Sequence, residues 1–295
     1  MLSILIPIYN WDCVQLVTEL HKQSVVAELE FEILCLDDAS YDEYQQRNLP
    51  LELLSSVVFE QLPENIGRAR IRNLLAEKAK YNTLLFLDCD MAVISDTFVS
   101  KYMSAANGTG VVVGGVAYDS ARPGNPDHLL RWTYGRERES QSSDARSNHP
   151  YASFMTGAFA IDSASFAAIR FDESIAHYGH EDTLFGIELK ARGVNVKHIN
   201  NALEHRGLDS SVNFMAKTDQ AVRTLAELYR AGKLSDEVKL LKVYRQLKKV
   251  YLDQLYARRY KKQKSTWLTN LNSAKPDLKY FDRYRLGYLC TLMHE

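Results

Sequence analysis

Short apolar runs alternate with helix-spaced segments through the first 200 residues of the 295-residue chain. The runs predict strands, and apolar residues recurring at intervals of three and four between them predict helices. Strands separated by helices indicate βαβ units, and hence an α/β fold with a mostly parallel central sheet flanked by helices. The strands are expected at 2–8, 31–36, 57–62, 83–87, 111–116, 152–161 and 194–199, and the helices at 14–21, 66–79 and 181–192.

Two later stretches break this alternation. Residues 119–150 are polar and poorly periodic, which predicts a long surface loop of the kind that is functional or disordered. From about residue 213 the chain is predicted to be helical, and residues 233–264 carry eleven lysines and arginines against three acids, Asp236, Glu237 and Asp253. We therefore expect a helical, basic C-terminal extension.

Composition narrows the protein class. A net charge of −1 gives no global attraction to nucleic acid or to an anionic membrane, although charge is uneven along the chain. The apolar opening runs directly into Asn10 and Asp12 and predicts a strand rather than a signal peptide, and no run approaches the roughly 20 apolar residues of a membrane span. The four cysteines are scattered, and Cys35 and Cys89 fall in apolar runs that predict buried, reduced thiols. We therefore expect a cytoplasmic protein.

Carboxylates follow two of the predicted strands. One run ends in Asp37 and Asp38, and another ends in Asp88 and Asp90. In an extended chain, residues two apart point to the same face, so Asp88 and Asp90 could converge on one cation. Carboxylates and a diphosphate are ligands that Mg²⁺ and Mn²⁺ prefer. The alternative is a pair of ordinary turn aspartates after a strand.

Five segments together resemble the family 2 glycosyltransferases of GT-A fold. They are IPIYN at 6–10, LDDAS at 36–40, NIGRARIRN at 65–73, FLDCDM at 86–91 and GHEDTLFGIELKARG at 179–193. The similarity covers roughly residues 1–207, and the last segment also resembles the catalytic segment of galactosyl- and N-acetylgalactosaminyltransferases. The resemblance implies a metal-dependent inverting transferase that uses a UDP-sugar.

The resemblance assigns nucleotide-binding roles. Pro7, Tyr9 and Asn10 would line a uridine pocket, with the Tyr9 ring offering base stacking. Asp38 would accept the uracil imide N–H, a polar contact that discriminates against other bases. Arg72 would lie near the nucleotide; the alternative is that it forms a solvated helix face one turn from another arginine.

The resemblance also assigns the metal ligands. Asp90 would bind the metal directly, and Asp88 would reach the ribose or the metal. His205 occupies the position of a third ligand, and an imidazole among carboxylates favours Mn²⁺ over Mg²⁺. For His205 the alternative is an ordinary surface or core histidine.

Glu181 and Asp182 form the second acidic pair of interest. Inverting transfer needs a base that removes the proton of the acceptor hydroxyl, and the resemblance assigns this role to Asp182, the second acid of the pair. The alternative is that both acids are favoured at the start of a helix by capping and by the helix dipole.

The resulting expectation is a catalytic domain at 1–210, with a nucleotide-binding part at 1–117 and an acceptor part at 118–210, and an extension at 211–295. The acceptor would be a glycan or a lipid-linked hydroxyl, with a role in surface polysaccharide synthesis expected at family level. The 119–150 loop could act as a lid over the bound donor. Two competing functions are a non-catalytic nucleotide-sugar or glycan-binding module and a sugar-phosphate nucleotidyltransferase. The second is disfavoured, because a nucleotidyltransferase is expected to have a glycine-rich loop after its first strand and this chain has YNWDCVQ there.

The basic extension leaves three interpretations open. It could be a solvated amphipathic region packed on the catalytic domain, a peripheral contact with anionic lipid at the inner face of the membrane, or a surface for an acceptor or a second subunit. Nucleic acid is not expected as a partner, because no recognition motif accompanies the charge.

Overall fold

The computed structural model describes residues 1–106, 110–175, 178–234 and 237–295. Asp236, one of the acids in the basic region, lies outside the described residues. The chain forms two compact units. Unit 1 comprises Met1–Tyr118, Ser140–Glu173 and Phe185–Gly207, and unit 2 comprises Asp119–Glu139, Ser174–Leu184 and Leu208–Glu295. These units are not contiguous along the chain, and the functional division at 210 stays a prediction.

Unit 1 contains all the strands that the structure describes. In chain order they are β1 (Leu2–Ile8), β2 (Phe31–Asp37), β3 (Val57–Gln61), β4 (Thr83–Leu87), β5 (Met91–Ala92), β6 (Val111–Val113), β7 (Val116–Ala117), β8 (Ala158–Asp162), β9 (Val196–His198) and β10 (Leu203–His205). Seven form a sheet in the order β3-β2-β1-β4-β8-β6-β9, and three form a small sheet in the order β5-β10-β7. In the large sheet β8 runs antiparallel to β4 and β6. The other recorded strand pairs of this sheet are parallel. The prediction of a mostly parallel central sheet is confirmed.

Helices flank this sheet. Those of unit 1 are α1 (Val14–Val26), α2 (Asp42–Asn48), α3 (Arg68–Lys78), α4 (Phe98–Ala105), α6 (Ser143–Ser147) and α7 (Ser163–Ile169), with a 3-10 helix at Leu49–Leu53. Unit 2 contains α5 (Leu129–Tyr134), α9 (Ser211–Arg230), α10 (Lys239–Lys249), α11 (Asp253–Leu271) and α12 (Leu278–Leu292). The helix α8 (Glu181–Ala191) is divided, with its first turn in unit 2 and the rest in unit 1. No helix within the described residues is long and apolar enough to cross a membrane.

An aromatic cluster forms the centre of the unit 1 core beneath β4. The Phe86 ring stacks on Phe159 at 4.8 Å between centroids, and Phe171 stacks on Phe185 at 4.6 Å. Each of these four side chains is at most 3% exposed. Such rings bury large apolar areas and prefer offset or edge contacts. They therefore hold β4, α8 and the chain around Phe171 against one another.

The prediction of a long surface loop at 119–150 is wrong. The segment contains a 3-10 turn at Pro126–His128, α5, a π-helical turn at Gly135–Glu139 and α6. Its polar composition hid these elements because charged residues take part in them; Arg131 on α5, for example, pairs with Glu139 of the π-helical turn at 3.0 Å. The idea of a structureless lid therefore loses its basis.

The strands predicted at 111–116, 152–161 and 194–199 are also shorter than expected. The run 111–116 divides after Val113, because Gly114 and Gly115 turn the chain, Gly115 at φ +91°. Residues 152–157 precede β8 without being part of it, and the strand starts at Ala158. Sequence periodicity alone could not detect these breaks, since the residues around them remain apolar.

Candidate active site

Three of the motifs converge at one edge of the large sheet. Strands β1, β2 and β4 are parallel neighbours, and IPIYN, LDDAS and FLDCDM come at or just after their carboxyl ends. In open α/β sheets ligands bind at this edge. The topology therefore brings together the residues that the motifs singled out in unit 1.

The ends of β1 and β2 are tied to each other. The Asn10 backbone N–H donates to Ser40 Oγ at 2.7 Å, and the Tyr41 N–H donates to Asn10 Oδ1 at 2.9 Å. Asn10 has φ +50°, a conformation that asparagine tolerates better than most residues. Tyr9 is 51% exposed and Pro7 is half-buried, so the tyrosine ring is open to a stacking partner.

Asp38 orders the NIGRARIRN segment. Its Oδ1 accepts the Ile66 N–H at 2.7 Å, its Oδ2 accepts the Gly67 N–H at 3.1 Å, and its carbonyl accepts Asn65 Nδ2 at 3.0 Å. Burial raises the pKa of Asp38, and the two backbone hydrogen bonds oppose that rise. Each carboxylate oxygen has a second lone pair, so these bonds leave acceptor capacity for a base N–H.

Arg72 and Asp88 form a partly buried ion pair between α3 and the end of β4. Arg72 Nη2 lies 2.5 Å from Asp88 Oδ1, and the side chains are 5% and 26% exposed. The solvated-face alternative for Arg72 is therefore wrong. Burial alone would raise the pKa of Asp88, but the charges of Arg72 and Arg68 outweigh it, and the pKa is lowered. Asp88 is thus held as a carboxylate.

Asp90 and His205 are brought together by the small sheet. His205 pairs with Met91 across the β5–β10 ladder, and the Arg206 N–H donates to the Asp90 carbonyl at 2.8 Å. His205 Nε2 then lies 3.4 Å from Asp90 Oδ2, with the Tyr118 ring stacked on the imidazole at 5.3 Å.

Gly207 borders the same carboxylate. A Cβ added at Gly207 would collide with Asp90 Oδ2, because the backbone passes directly against that side chain. Only glycine fits here without moving the carboxylate, so residue 207 sets the space around Asp90.

The donor atoms of this pair fit a divalent cation. A carboxylate oxygen from the turn before β5 and an imidazole nitrogen from β10 are ligands that Mn²⁺ accepts, and such ions often take the remaining positions from substrate phosphates and water. No group of three or more His, Cys, Asp or Glu side chains suited to a metal occurs among the described residues. The protein itself therefore presents a two-residue candidate site, Asp90 and His205.

The expectation that Asp88 and Asp90 point to the same face of an extended chain is wrong. Strand β4 ends at Leu87, and Cys89 and Asp90 lie in a turn, so the alternation of an extended chain does not apply. The turn separates the two partners: Asp88 contacts Arg72, and Asp90 contacts His205.

Glu181 and Asp182 begin α8 and belong to unit 2. Both are half-buried, and Asp182 Oδ1 accepts the Thr183 N–H at 2.7 Å. The preceding His180 has φ +72°, a conformation that costs a non-glycine residue of the order of 1–3 kcal/mol and recurs at functional sites. The first-turn position is favourable to a carboxylate through the helix dipole, so the capping alternative stays open beside the catalytic one.

Sequence reasoning missed several residues that build this site. Asn73 binds the backbone of Phe171 twice, with Nδ2 donating to its carbonyl and Oδ1 accepting its N–H, both at 3.0 Å. Tyr118 and Gly207 shape the surroundings of Asp90 and His205. Asn73 carried a signal, since it closes the NIGRARIRN motif; Tyr118 carried none, because its contact is made between distant segments.

Comparisons with known proteins bear on the family and the fold of this chain. The sequence model of glycosyl transferase family 2 matches residues 3–167, more than half of the chain. A chondroitin synthase of Escherichia coli is 26% identical over 235 residues, which is 69% of this chain and 34% of that protein. The chain thus spans about a third of the length of this curated relative.

Solved structures share the fold at low sequence identity. A mannosyltransferase from Pyrobaculum calidifontis, solved with GDP-Man and Mn²⁺, has a TM-score of 0.51 at 13% identity, covering 80% of this chain and 66% of that one. Residues 1–349 of S. aureus TarS give a TM-score of 0.51 at 17% identity, covering 97% and 90%. These likenesses support the fold, which is GT-A. With its sheet-edge motifs and the match over residues 3–167, this chain belongs to glycosyltransferase family 2.

Proposed function

We propose that the protein transfers a sugar from a UDP-sugar to a hydroxyl of a glycan or lipid-linked acceptor, with inversion and with the help of a divalent metal, Mn²⁺ in preference to Mg²⁺. The observation that carries the proposal is the Asp90–His205 pair, 3.4 Å apart at the sheet edge where the nucleotide motifs end. The donor sugar would be galactose, glucose or an N-acetylhexosamine.

The nucleotide would be held by the residues at the ends of β1, β2 and β4. Tyr9 offers an accessible ring for the base, and Asn10 and Pro7 border it. Asp38 would accept the imide N–H with the lone pairs that Ile66 and Gly67 leave. Asp88, kept ionised by Arg72, would accept a ribose hydroxyl or contribute to the metal.

The metal would be held by Asp90 and His205. When bound, it supplies positive charge that neutralises the diphosphate as the leaving group departs. Tyr118 and Gly207 keep the imidazole and the carboxylate in position for that role. Support for Mn²⁺ comes from the mixed oxygen and nitrogen donors and from the Mn²⁺ in the structure of the mannosyltransferase of similar fold.

Asp182 would take the proton of the acceptor hydroxyl, with Glu181 beside it. The support is the GHED motif, the half-buried state of the carboxylate and the strained backbone at His180. A base of this kind contributes about 10²–10⁴-fold to a rate. Polysaccharide synthesis in the cytoplasm is the setting proposed from the resemblance to family 2 enzymes.

Calorimetric titration with UDP, in the presence and absence of Mn²⁺, tests the site. Wild-type protein is expected to bind UDP more tightly with Mn²⁺. His205→Asn should weaken Mn²⁺-dependent binding by at least about tenfold, since the loss of even an outer-shell partner costs that much. His21→Asn, on α1, is the matched control and should bind like wild type. Equal UDP affinity with and without Mn²⁺ would contradict the proposal.

A further inference from the structure

The connection between α10 and α11 in unit 2, together with the first turn of α11, exposes four neighbouring apolar side chains. Val250 is 59% exposed, Tyr251 89%, Leu252 45% and Leu255 62%. We call these four residues the exposed tip. Single exposed apolar residues are common on protein surfaces, but a contiguous patch of them marks an interaction site.

The backbone at the exposed tip is committed to presenting Tyr251 outward. The Leu252 N–H donates to the Leu247 carbonyl at 3.0 Å and the Tyr251 N–H donates to the Lys248 carbonyl at 3.1 Å, which together form the hydrogen-bond pattern of a Schellman motif. Tyr251 occupies the left-handed position of that motif, with φ +57°, where glycine is usual. A large aromatic side chain is thus held at a position where the backbone disfavours it.

Basic residues surround the exposed tip. Between residues 239 and 264 the sequence has ten lysines and arginines and one acid, Asp253. Asp253 is 6% exposed and lies 2.9 Å from His294 Nε2, so its charge is turned inward. The basic residues on the adjoining turns are exposed: Lys248 and Lys249 at the end of α10, and Arg258, Arg259, Lys261 and Lys262 on α11.

Helical spacing places part of this charge on the face of Leu255. Positions 258, 259 and 262 lie three, four and seven residues after 255, which is one side of an α-helix. The exposed tip and the basic residues next to it therefore form one surface, which is apolar at the connection between the helices and positively charged along the adjoining turns of α10 and α11.

We propose that this surface binds the anionic phospholipid face of a membrane, with the exposed tip entering the interface. Charge complementarity identifies the partner: the basic residues match acidic headgroups, and tyrosine with aliphatic neighbours matches the boundary between headgroups and acyl chains. The contact is peripheral. The proposal rests on unit 2 alone and stands or falls independently of the transfer reaction.

Vesicle co-sedimentation tests the proposal. Wild-type protein is expected to bind vesicles of equal parts phosphatidylglycerol and phosphatidylcholine, to bind pure phosphatidylcholine far less, and to dissociate as salt is raised. Tyr251→Ser combined with Leu255→Ser should lower the partition coefficient at least tenfold. Lys248→Gln combined with Lys249→Gln should lower it about fivefold per charge, from about 1 kcal/mol for each basic residue at a membrane surface.

Matched controls come from unit 1. Leu53→Ser removes a leucine that is 87% exposed, and Lys22→Gln removes a lysine whose side chain is 70% exposed; both variants should bind vesicles like wild type. The circular-dichroism spectrum of the tip variant should match that of wild type, which shows that it is folded. Absence of binding to the anionic vesicles, or binding unaffected in the tip variant, would overturn the proposal. So would self-association in sedimentation velocity that the tip variant abolishes, because the partner would then be a second copy of the chain.

Discussion

The Arg72–Asp88 pair links two motifs through residues that lie sixteen positions apart in the sequence. Arg72 is nearly inaccessible to solvent and also packs over the Phe171 ring at 5.7 Å, so its position depends on the aromatic core. Asp88 remains a quarter exposed at the sheet edge. One arginine therefore couples the core to the Asp88 carboxylate, which we propose as a nucleotide-binding group.

Loss of Arg72 should destabilise unit 1. Arg72→Met leaves Asp88 without its main counter-charge, and breaking a buried pair costs about 3–5 kcal/mol; because Asp88 is partly exposed we expect about 2–3 kcal/mol. Arg70→Met on the same helix, which removes a side chain that is 60% exposed, should cost less than about 1 kcal/mol. Urea unfolding measures both variants, and equal losses would refute the importance of the pair.

Asp182 is predicted to act on the rate and not on donor affinity. Asp182→Asn keeps the size of the side chain but removes the base, so kcat should fall by about a hundredfold or more while UDP affinity stays within about twofold. Glu188→Gln changes an exposed acid on the same helix and should behave like wild type. A variant with unchanged kcat would leave Asp182 with a capping role alone.

At the scale of elements, Arg146 holds the segment before β8 against the large sheet. It is 2% exposed, and its guanidinium donates to the carbonyls of Val113, Gly114 and Ile199. It also lies 2.8 Å from His198 Nδ1, and the other His198 nitrogen lies 2.9 Å from the Pro150 carbonyl. Burial lowers the pKa of His198, so a neutral imidazole bridges Arg146 and Pro150.

Arg146→Met should loosen this segment. The substitution removes the guanidinium hydrogen bonds to the carbonyls of Val113, Gly114 and Ile199, of which the first two keep a backbone N–H donor. At about 1 kcal/mol for each hydrogen bond lost, we expect a total loss of about 3 kcal/mol, with new protease cleavage between residues 140 and 150. Arg192→Met, at an exposed i,i+4 pair, is the control and should leave the cleavage pattern unchanged. Proteolysis followed by mass spectrometry reads out the site, and an unaltered pattern in Arg146→Met would contradict the account.

Arg146 also shows where sequence prediction stops. Strands β1 and β4 match the predicted bounds because an apolar run buried on both faces is a local signal. A buried arginine that is satisfied by carbonyls of distant strands has no local signal, and the segment around it was predicted to be a loop. The two-residue strands β5 and β7 were missed for the same reason, since their pairing with β10 depends on tertiary contacts.

The candidate site shows the same difference between local signals, which sequence reveals, and tertiary contacts, which it does not. The motifs brought Asp38, Asp88, Asp90 and His205 into view, because each follows a recognisable strand. The sequence did not indicate which of these residues contact one another, because the turn at Cys89 and Asp90 changes the direction of the side chains. Sequence therefore indicated candidate residues for the site, but not the contacts that they make with one another.

For the whole molecule, pH dependence of stability provides a test that involves no ligand. Burial and the charge of Arg285 lower the pKa of His180 to about 4, although Glu181 opposes this effect. The unfolded chain thus binds a proton that the folded chain resists, so stability is complete above about pH 6.5 and is lost as the pH falls toward 4. The contribution is at most about 3 kcal/mol.

Replacement of His180 should flatten this dependence. Asparagine tolerates the positive φ, so His180→Asn should keep the fold while reducing the fall in unfolding free energy between pH 6.5 and about 4. His198 contributes a remaining slope of the same sign, because its pKa is also lowered. His149→Asn, at an exposed histidine, should leave the curve as in wild type. An identical pH profile in His180→Asn would contradict the assignment.

Donor selection with Mn²⁺ tests the central claim most directly. Hydrolysis and binding would be measured across UDP-, GDP- and dTDP-sugars for wild type, Asp90→Ala and the exposed control Asp96→Ala. The account predicts Mn²⁺-dependent use of a UDP-sugar by wild type and Asp96→Ala, and its loss in Asp90→Ala. Metal-independent activity, or no interaction with any nucleotide sugar, would contradict it.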